Sequence, residues 1–210
     1  MSPTPSPIRI LIVDDHPTIR AGIRIILEQQ DCMRVVAEAG DGEEAVARLR
    51  EVQPDVVLMD LQMPKMDGLQ AIAAIHAERP NVPIMVLTTY PGDARVSRAL
   101  SAGAISYILK TAHRTQIIAA IFGSLQGETV LDKTVACELD ANVGHESLSQ
   151  REISALRLVA QGERNSDIGR ALNVTEHTIK SRIKNILAKL NANDRTHAVS
   201  IARARGFIEC

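Results

Sequence analysis

The chain has 210 residues, of which 45% are apolar, 2% are aromatic and none is tryptophan. This length allows one large domain or two modest ones, and so few aromatic rings argue against base or sugar stacking as the main mechanism. The net charge of −1 divides unevenly, with −2 over residues 1–124, −4 over 125–146 and +5 over 147–210. A basic C-terminal third indicates a part of the chain that meets a polyanion.

Signals for a membrane or an oxidising compartment are missing from the sequence. No apolar run approaches the roughly 20 residues needed to span a bilayer, so we expect no membrane partner. Residues 1–7 lack the apolar core of a signal peptide and predict a disordered lead-in to a cytoplasmic protein. Cys32, Cys137 and Cys210 lack metal-ligand spacing, so free thiols in a reducing compartment are expected.

Strands and helices alternate over the first part of the chain. Five short runs rich in β-branched residues predict strands at residues 8–13, 34–39, 55–60, 82–89 and 105–110. The segments between them carry apolar residues at helical spacing. Because the strands are apolar throughout, both faces of the sheet must be covered. The pattern therefore predicts an α/β doubly wound, five-stranded parallel sheet over residues 8–124.

The pattern changes after residue 124. Residues 125–146 have mixed polarity and no sustained period, and they predict a linker with a helical piece around 133–139. Further along, "SQRE" is a capping box with Ser149 as the N-cap, and Thr175 and Asp194 cap two later helices. Residues 147–210 are thus predicted to form a small all-α domain of four helices.

Acidic side chains stand where two of the predicted strands end. Asp14 and Asp15 follow the first strand, and Asp60 follows the third. In a parallel sheet these carboxylates emerge at one edge, where their mutual repulsion requires a cation. Oxygen ligands with retained waters are typical of Mg²⁺ sites. The sequence therefore predicts a magnesium site.

Two further polar side chains are predicted at the same edge. Thr88 and Lys110 end the fourth and fifth strands. A metal and an ammonium can balance phosphate oxygens while one Asp acts as the nucleophile, so the group predicts a phosphoryl site. We interpret the adjacent His16 as a surface loop residue, not a metal ligand. Asp67 is interpreted as a helix N-cap.

The first ~120 residues resemble the receiver domain of bacterial response regulators. The resemblance is carried by the pair Asp14–Asp15, Asp60 in "LMDLQMPKMDG", Thr88, and Lys110 in "YILK". It implies that Asp60 accepts a phosphoryl group from a histidine kinase. It also implies a flavodoxin-like fold in which Asp14, Asp15, Asp60 and the Gln62 backbone carbonyl hold Mg²⁺.

The same resemblance implies roles for three more side chains. Lys110 would pair with the acyl phosphate, while Thr88 and Tyr107 would form a switch. In that switch the hydroxyl moves toward the phosphoryl oxygen and the ring turns inward. Thr111 follows Lys110 where many receivers have a cis-proline, and no cis bond is expected before a non-proline residue.

The segment "TEHTIKSRIKNILAKLN", residues 175–191, predicts an amphipathic helix. One face is aliphatic, and the other offers small and basic side chains that can enter a major groove. The preceding "NSDIGRALNV" predicts a short helix and a tight turn, the first half of a helix-turn-helix.

The last ~60 residues resemble the LuxR-type helix-turn-helix domain of NarL/FixJ response regulators. The resemblance is carried by "LSQREISALRLVAQG", "NSDIGRALNVTEHTIKSRIKNILAKL" and "DRTHAV". It implies double-stranded DNA as a partner and a dimer surface on the last helix. The implied DNA contacts are Thr175, Thr178, Lys180, Ser181, Arg182 and Lys184. Gly169 replaces the usual Ala, at an expected cost to its helix of up to ~1 kcal/mol.

These patterns predict a regulator of transcription in which phosphorylation of Asp60 controls homodimerisation and sequence-specific DNA binding. Two other classes stay open. One is an Asp-nucleophile phosphatase, but the general-acid position of such enzymes is occupied here by Gln62, which cannot transfer the proton, so we expect no enzyme. The other is a protein- or RNA-binding output, and the missing aromatic residues disfavour RNA base stacking.

Overall fold

The computed structural model describes residues 6–89, 92–141 and 147–208. Most of the predicted disordered stretch 1–7, the last part of the predicted linker and Cys210 lie outside these residues. Cys32 and Cys137 are exposed free thiols, as predicted. The described residues fall into two compact units, taken from Met1–Pro91 with Val96–Ala136 and from Gly92–Arg95 with Cys137–Cys210.

Strands and helices alternate strictly up to residue 125. In chain order they are β1 Ile8–Val13, α1 Pro17–Glu28, β2 Met33–Ala39, α2 Gly42–Val52, β3 Val56–Met59, α3 Gly68–Glu78, β4 Ile84–Thr88, α4 Asp93–Ala102, β5 Ser106–Leu109 and α5 Arg114–Leu125. The five strands form one sheet in the order β2-β1-β3-β4-β5, and all neighbours are parallel. The predicted fold class is confirmed.

The sheet is apolar on both faces because helices cover both. Ile10, Ile12 and Leu58 pack in one cluster with residues of α1 and α5, including Leu27 and Ile121. The strand residues between them are equally buried, since successive side chains point to opposite faces. Helices α2 and α3 contact each other, and α2 also contacts β1 and β2. Burial on both faces explains why β3 and the buried part of β1, residues 10–13, contain no polar residue.

The strand order brings the ends of β1 and β3 together. The chain reverses its direction of travel across the sheet between these two strands, which is where ligands bind in doubly wound folds. Val13 lies beside Met59 in the register, and the Asp60 amide donates to the Val13 carbonyl at 2.8 Å. Residues 14 and 60 therefore leave the sheet side by side.

The free edge of β5 is covered by residues that follow α5. Leu131 forms a parallel bridge with Tyr107. The Tyr107 amide donates to the Val130 carbonyl and the Asp132 amide donates to the Tyr107 carbonyl, both at 2.9 Å. The buried Ser106 hydroxyl accepts from the Val130 amide at 3.1 Å. This short pairing satisfies edge groups that would otherwise be exposed.

All the regular elements after α5 in the described chain are helices. They are α6 Lys133–Ala141, α7 Gln150–Ala160, α8 Asn165–Ala171, α9 Glu176–Lys189 and α10 Arg195–Ala204. The predicted N-caps Ser149, Thr175 and Asp194 each accept a hydrogen bond from a backbone amide three residues on. Helices α7 to α10 share one aliphatic core that includes Ile153, Ile179 and Ala198. None of the described helices has both the length and the apolar character needed to cross a bilayer.

Candidate functional site

Two of the predicted acids and the predicted lysine meet at the carboxyl edge of the sheet. Asp14 follows β1, Asp60 follows β3, and both are almost fully buried. The Lys110 ammonium lies 2.7 Å from Asp14 Oδ2 and 2.7 Å from Asp60 Oδ2. Two carboxylates that would repel each other therefore share one buried cation.

Burial dominates the electrostatics of this cluster. Burial is the largest cause of the raised pKa of Asp60, the Lys110 ammonium acts to lower that pKa, and the neighbouring Asp14 charge adds to the rise. Burial alone would lower the pKa of Lys110, but its bonds to Asp14 and Asp60 outweigh it and raise that pKa. The edge therefore holds a partly uncompensated negative charge.

Asp15 completes the acidic group. Ligand atoms of Asp14, Asp15, His16 and Asp60 all lie within 4.8 Å of one another. The buried Asp15 Oδ1 has no hydrogen-bond donor among the described residues. The His16 Nδ1 lies 2.6 Å from it, at ion-pair distance but outside hydrogen-bond geometry. Three carboxylates this close to one another fit a hard divalent cation such as Mg²⁺.

His16 lies where the sequence predicted, at the surface. Its side chain is 64% exposed and it is the N-cap of α1 without a side-chain cap bond. Its backbone amide donates to Asp14 Oδ1 at 2.9 Å, so the residue helps to hold Asp14 through its main chain.

The loop that follows Asp60 is fixed to the site at several points. The Leu61 amide donates to Asp60 Oδ1 at 2.7 Å, and Gln62 follows, half-buried. A Cβ on Gly68 would overlap the Asp60 carbonyl oxygen, so only glycine allows α3 to begin this close to β3. Asp67 caps α3, as predicted, by accepting from the Gln70 amide at 2.8 Å.

The two predicted switch residues are both buried in the sheet. Thr88 is the last residue of β4, and its carbonyl accepts from the Lys110 amide at 2.7 Å. Tyr107 lies in β5 beside Val86 and is fully buried. The structure therefore places Thr88 at the same edge as Lys110, whereas Tyr107 lies inside the sheet. No cis peptide bond occurs among the described residues.

A pair of charged residues next to the site was not identified from the sequence. Arg20 of α1 donates to the Asp14 carbonyl and, through Nε, to Glu38 of β2 at 2.9 Å. The signal that could have revealed the pair is Glu38 itself, because an acid that is half-buried within a strand is stabilised by a charged partner. Its partner could not be named, since Arg20 is 18 residues away on another element.

The second unit presents a helix with the predicted two faces. Ile179, Ile186 and Leu190 are buried against the core, and Ile183 and Leu187 are partly buried against it. His177, Ser181, Lys184 and Ala188 on the opposite face are exposed. Helix α8 precedes α9 through a turn that contains Asn173 in the left-handed conformation. The arrangement is a helix-turn-helix.

The residues predicted to contact DNA differ in how free they are. Ser181 and Lys184 are exposed, and Lys180 pairs with Glu176 one turn earlier at 2.8 Å. Arg182 is half-buried, and its Nη1 donates to the Arg151 carbonyl of α7 at 3.3 Å. Thr175 and Thr178 bond to each other through their hydroxyls at 2.9 Å and form the start of α9.

Comparison with known protein families assigns both units. A model of the response regulator receiver domain matches residues 10–122. A model of the bacterial regulatory proteins of the luxR family matches residues 146–202. The first range contains the acidic cluster, and the second contains the helix-turn-helix.

Relatives cover nearly the whole chain. The transcriptional regulatory protein LiaR of Bacillus subtilis is 41% identical over 209 residues, which are 96% of this chain and 99% of LiaR. The response regulator protein VraR of Staphylococcus aureus is 38% identical over 207 residues, again 96% of this chain and 99% of the relative.

Solved structures agree with this. A complex of the two-component response regulator RcsB with DNA has a TM-score of 0.71 at 28% identity, covering 95% of this chain and 99% of that one. The response regulator ChrA of a heme-sensing two-component system has a TM-score of 0.58 at 36% identity, covering 97% and 100%. This chain therefore belongs to the two-component response regulators of the NarL/FixJ family, which regulate transcription through a receiver domain and a LuxR-type DNA-binding domain.

Proposed function

We propose that Asp60 accepts the phosphoryl group, delivered by a phosphohistidine of a cognate histidine kinase. A carboxylate oxygen of Asp60 forms the new bond to phosphorus, the phosphorus–nitrogen bond breaks, and the departing imidazole takes up a proton. The observation that carries the proposal is the buried Asp60 carboxylate, 2.7 Å from Lys110 at the edge where β1 and β3 end.

Asp14, Asp15 and Asp60, together with the Gln62 backbone carbonyl, are the residues that would hold Mg²⁺. The bound ion would supply positive charge that neutralises the phosphoryl oxygens. The closeness of the three carboxylates, whose ligand atoms lie within 4.8 Å of one another, supports this assignment. Lys110, already held between two of these acids, would move its bond from Asp60 to a phosphoryl oxygen.

Thr88 and Tyr107 would couple this site to the rest of the receiver. The Thr88 hydroxyl would donate to a phosphoryl oxygen, and the Tyr107 ring, which is already buried in this structure, would be held in its inward position. Their burial supports the proposal, since a buried side chain cannot move without displacing its neighbours. A phosphoryl group can bias this equilibrium only through contacts that differ between the two states.

Helix α9 would enter the major groove of double-stranded DNA. Lys180, Ser181 and Lys184 would reach base edges or phosphates, and Thr175 and Thr178 would contact phosphates near the start of the helix. Arg182 would contact the DNA backbone with the guanidinium nitrogens that do not bond Arg151. The exposure of Ser181 and Lys184 opposite a buried aliphatic face supports this assignment.

Phosphorylation of the receiver would favour a homodimer, which presents two α9 helices to two half-sites. Because the DNA partner of a bacterial regulator lies in the cytoplasm, we place the protein there. The kinase's phosphoryl donor domain would reach it in the same compartment.

The test compares the parent chain with Asp60→Ala in the presence and absence of a small phosphoryl donor such as acetyl phosphate. We expect the donor to add phosphorus to the parent chain, to increase its dimer fraction and to tighten its binding to operator DNA. The Asp60→Ala variant should show none of these changes. Without the donor, it should bind operator DNA with the same affinity as the unphosphorylated parent chain. A donor response retained in this variant would show that another residue is the acceptor.

A further inference from the structure

Asp14 is bonded at every polar group it has. Its amide donates to the Ala39 carbonyl at 3.1 Å, its Oδ1 accepts from the His16 amide at 2.9 Å and its Oδ2 is paired with Lys110 at 2.7 Å. The remaining group is its backbone carbonyl, which accepts from Arg20 Nη1. That carbonyl belongs to the planar peptide group that joins Asp14 to Asp15. The direction of the carbonyl therefore fixes the orientation of this peptide plane and the position of Asp15.

Arg20 is itself held in place from the other side. Its Nε bonds Glu38 Oε2 at 2.9 Å, and its side chain is only 17% exposed. Glu38 in turn accepts from Arg24 at 2.7 Å through its second oxygen. The two arginines hold the pKa of Glu38 below its ordinary value despite the opposing effect of partial burial. Glu38 therefore stays ionised and keeps the guanidinium of Arg20 oriented.

We propose that Arg20, oriented by Glu38, is a positioning residue that fixes the Asp14–Asp15 peptide so that the Asp15 carboxylate faces the metal site. A planar guanidinium can bond a carboxylate with one nitrogen and a carbonyl with another in one fixed geometry. Arg20 touches neither the phosphoryl acceptor nor a proposed metal ligand atom, so it acts only through the main chain of Asp14. The inference rests on the magnesium site proposed above.

The charge of Arg20 makes the proposal easy to separate from simple electrostatics. A positive charge close to an acidic site repels a divalent cation. If Arg20 acted only through its charge, its removal would tighten Mg²⁺ binding. If it positions Asp15, its removal weakens Mg²⁺ binding in spite of the lost repulsion.

The experiment measures the dissociation constant of Mg²⁺ by titration calorimetry on the full chain, with urea unfolding as a parallel readout. Arg20→Met should weaken Mg²⁺ binding about tenfold, the size seen when groups behind a metal ligand are removed. Arg24→Met is the matched control, because it removes the same charge and the same Glu38 partner but no bond to Asp14. We expect Arg24→Met to bind Mg²⁺ as tightly as the parent or more tightly.

Arg20→Lys keeps the charge and decides the question if Arg20→Met does not fold. An ammonium cannot span Glu38 and the Asp14 carbonyl in the same geometry, so we expect a several-fold weaker Mg²⁺ affinity at nearly parental stability. Parental or tighter Mg²⁺ binding by Arg20→Met and Arg20→Lys would overturn the positioning role alone. A parent chain that binds no Mg²⁺ would overturn the proposed metal site as well.

Discussion

At the scale of single residues, the site at the sheet edge places two carboxylates where their charge is costly. Asp60 is buried next to Asp14, and one ammonium serves both carboxylates. The pKa of Asp60 is raised chiefly by burial, which means that its charged form is disfavoured in the folded chain. A divalent cation bound beside these carboxylates would compensate that charge.

Asp60→Asn is expected to stabilise the metal-free chain by on the order of 1 kcal/mol near neutral pH. Because the pKa of Asp60 is higher in the folded than in the unfolded chain, its contribution to stability is fully present below the unfolded pKa. It is lost as the pH rises through the folded pKa. Asparagine resembles the neutral acid. The gain in the free energy of unfolding should therefore appear as the pH rises from the unfolded to the folded pKa of Asp60.

Urea unfolding in the presence of a metal chelator measures this change in the free energy of unfolding. It is done at one pH below the unfolded pKa of Asp60 and at one pH above the folded pKa. The gain from Asp60→Asn should vanish at the acid end and be complete at neutral pH. Asp31→Asn, which makes the same change at an exposed position, is the control for the general effect of an acid-to-amide substitution. A gain for Asp60→Asn that is equal at both ends would contradict the electrostatic explanation.

At the scale of elements, hydrogen bonds outside the regular helices and strands stabilise two connections between segments. One is the pairing of residues 130–132 with β5, where Ser106 Oγ accepts from both the Val130 amide and the Ser124 hydroxyl. The other is the turn between α8 and α9, where the Val174 amide donates to the Gly169 carbonyl at 2.9 Å. In both places a small side chain allows another segment of the chain to approach closely.

Ser106→Ala is expected to destabilise the first unit by about 1 to 2 kcal/mol, because the buried Ser124 hydroxyl and the half-buried Val130 amide lose their acceptor. Amide hydrogen exchange of Val130 should accelerate more than that of the central strands, since the pairing with β5 opens first. Ser101→Ala, at an exposed position of α4, is the matched control and should change neither measurement. Unaltered exchange at Val130 in Ser106→Ala would argue against the role of this hydroxyl.

Gly169→Ala tests whether propensity or packing decides the glycine in α8. Helix propensity alone, the basis of our expectation from the sequence, predicts a gain of up to ~1 kcal/mol. In the structure, however, a Cβ at this position would lie 2.8 Å from the Val174 carbonyl oxygen. We therefore expect the crowding to offset the gain, and Gly169→Val to destabilise α8 and α9 by about 2 kcal/mol.

The control for this prediction is Gly22→Ala in α1, where nothing lies within 4 Å of the added Cβ. There the full propensity gain should be recovered. Hydrogen exchange of the helix amides in the full chain reports each helix separately. Equal gains from Gly22→Ala and Gly169→Ala would show that the turn tolerates the extra atom without strain.

At the scale of the whole molecule, the two ends of the chain differ in net charge. Residues 1–124 carry −2 and residues 147–210 carry +5, and the second of these regions contains α9 with its exposed basic face. Binding to a polyanion releases counterions, so the affinity of such a protein for DNA falls as salt is added. The regulation of transcription by this chain should therefore depend strongly on ionic strength.

Lys184→Ala is expected to reduce the slope of log affinity against log salt by about 1 for each bound chain, hence by about 2 for a dimer. The measurement is a titration of operator DNA with the phosphorylated protein at several salt concentrations. Lys133→Ala removes the same charge from an exposed position of α6 and should leave the slope unchanged. Equal slopes for the two variants would exclude Lys184 from the DNA interface.

The elements and caps of this protein follow from local pattern. Apolar runs of β-branched residues predict the five strands because a strand covered on both faces must be apolar. Ser149, Thr175 and Asp194 predict helix starts because their side chains bond amides only three residues away. Each of these interactions lies within one stretch of sequence, so the sequence alone determines it.

Tertiary structure decided what depends on distant segments. The bond of Arg20 to the Asp14 carbonyl, the sharing of Lys110 by Asp14 and Asp60, and the crowding at Gly169 each require two segments to meet. The acids and Lys110 were predicted at a common edge, but the position of the Lys110 ammonium between Asp14 and Asp60 is set by how β1, β3 and β5 are arranged in the sheet. Hydrogen bonds and ion pairs between side chains of different elements depend on angles and on small changes in distance. Only the packed chain specifies those.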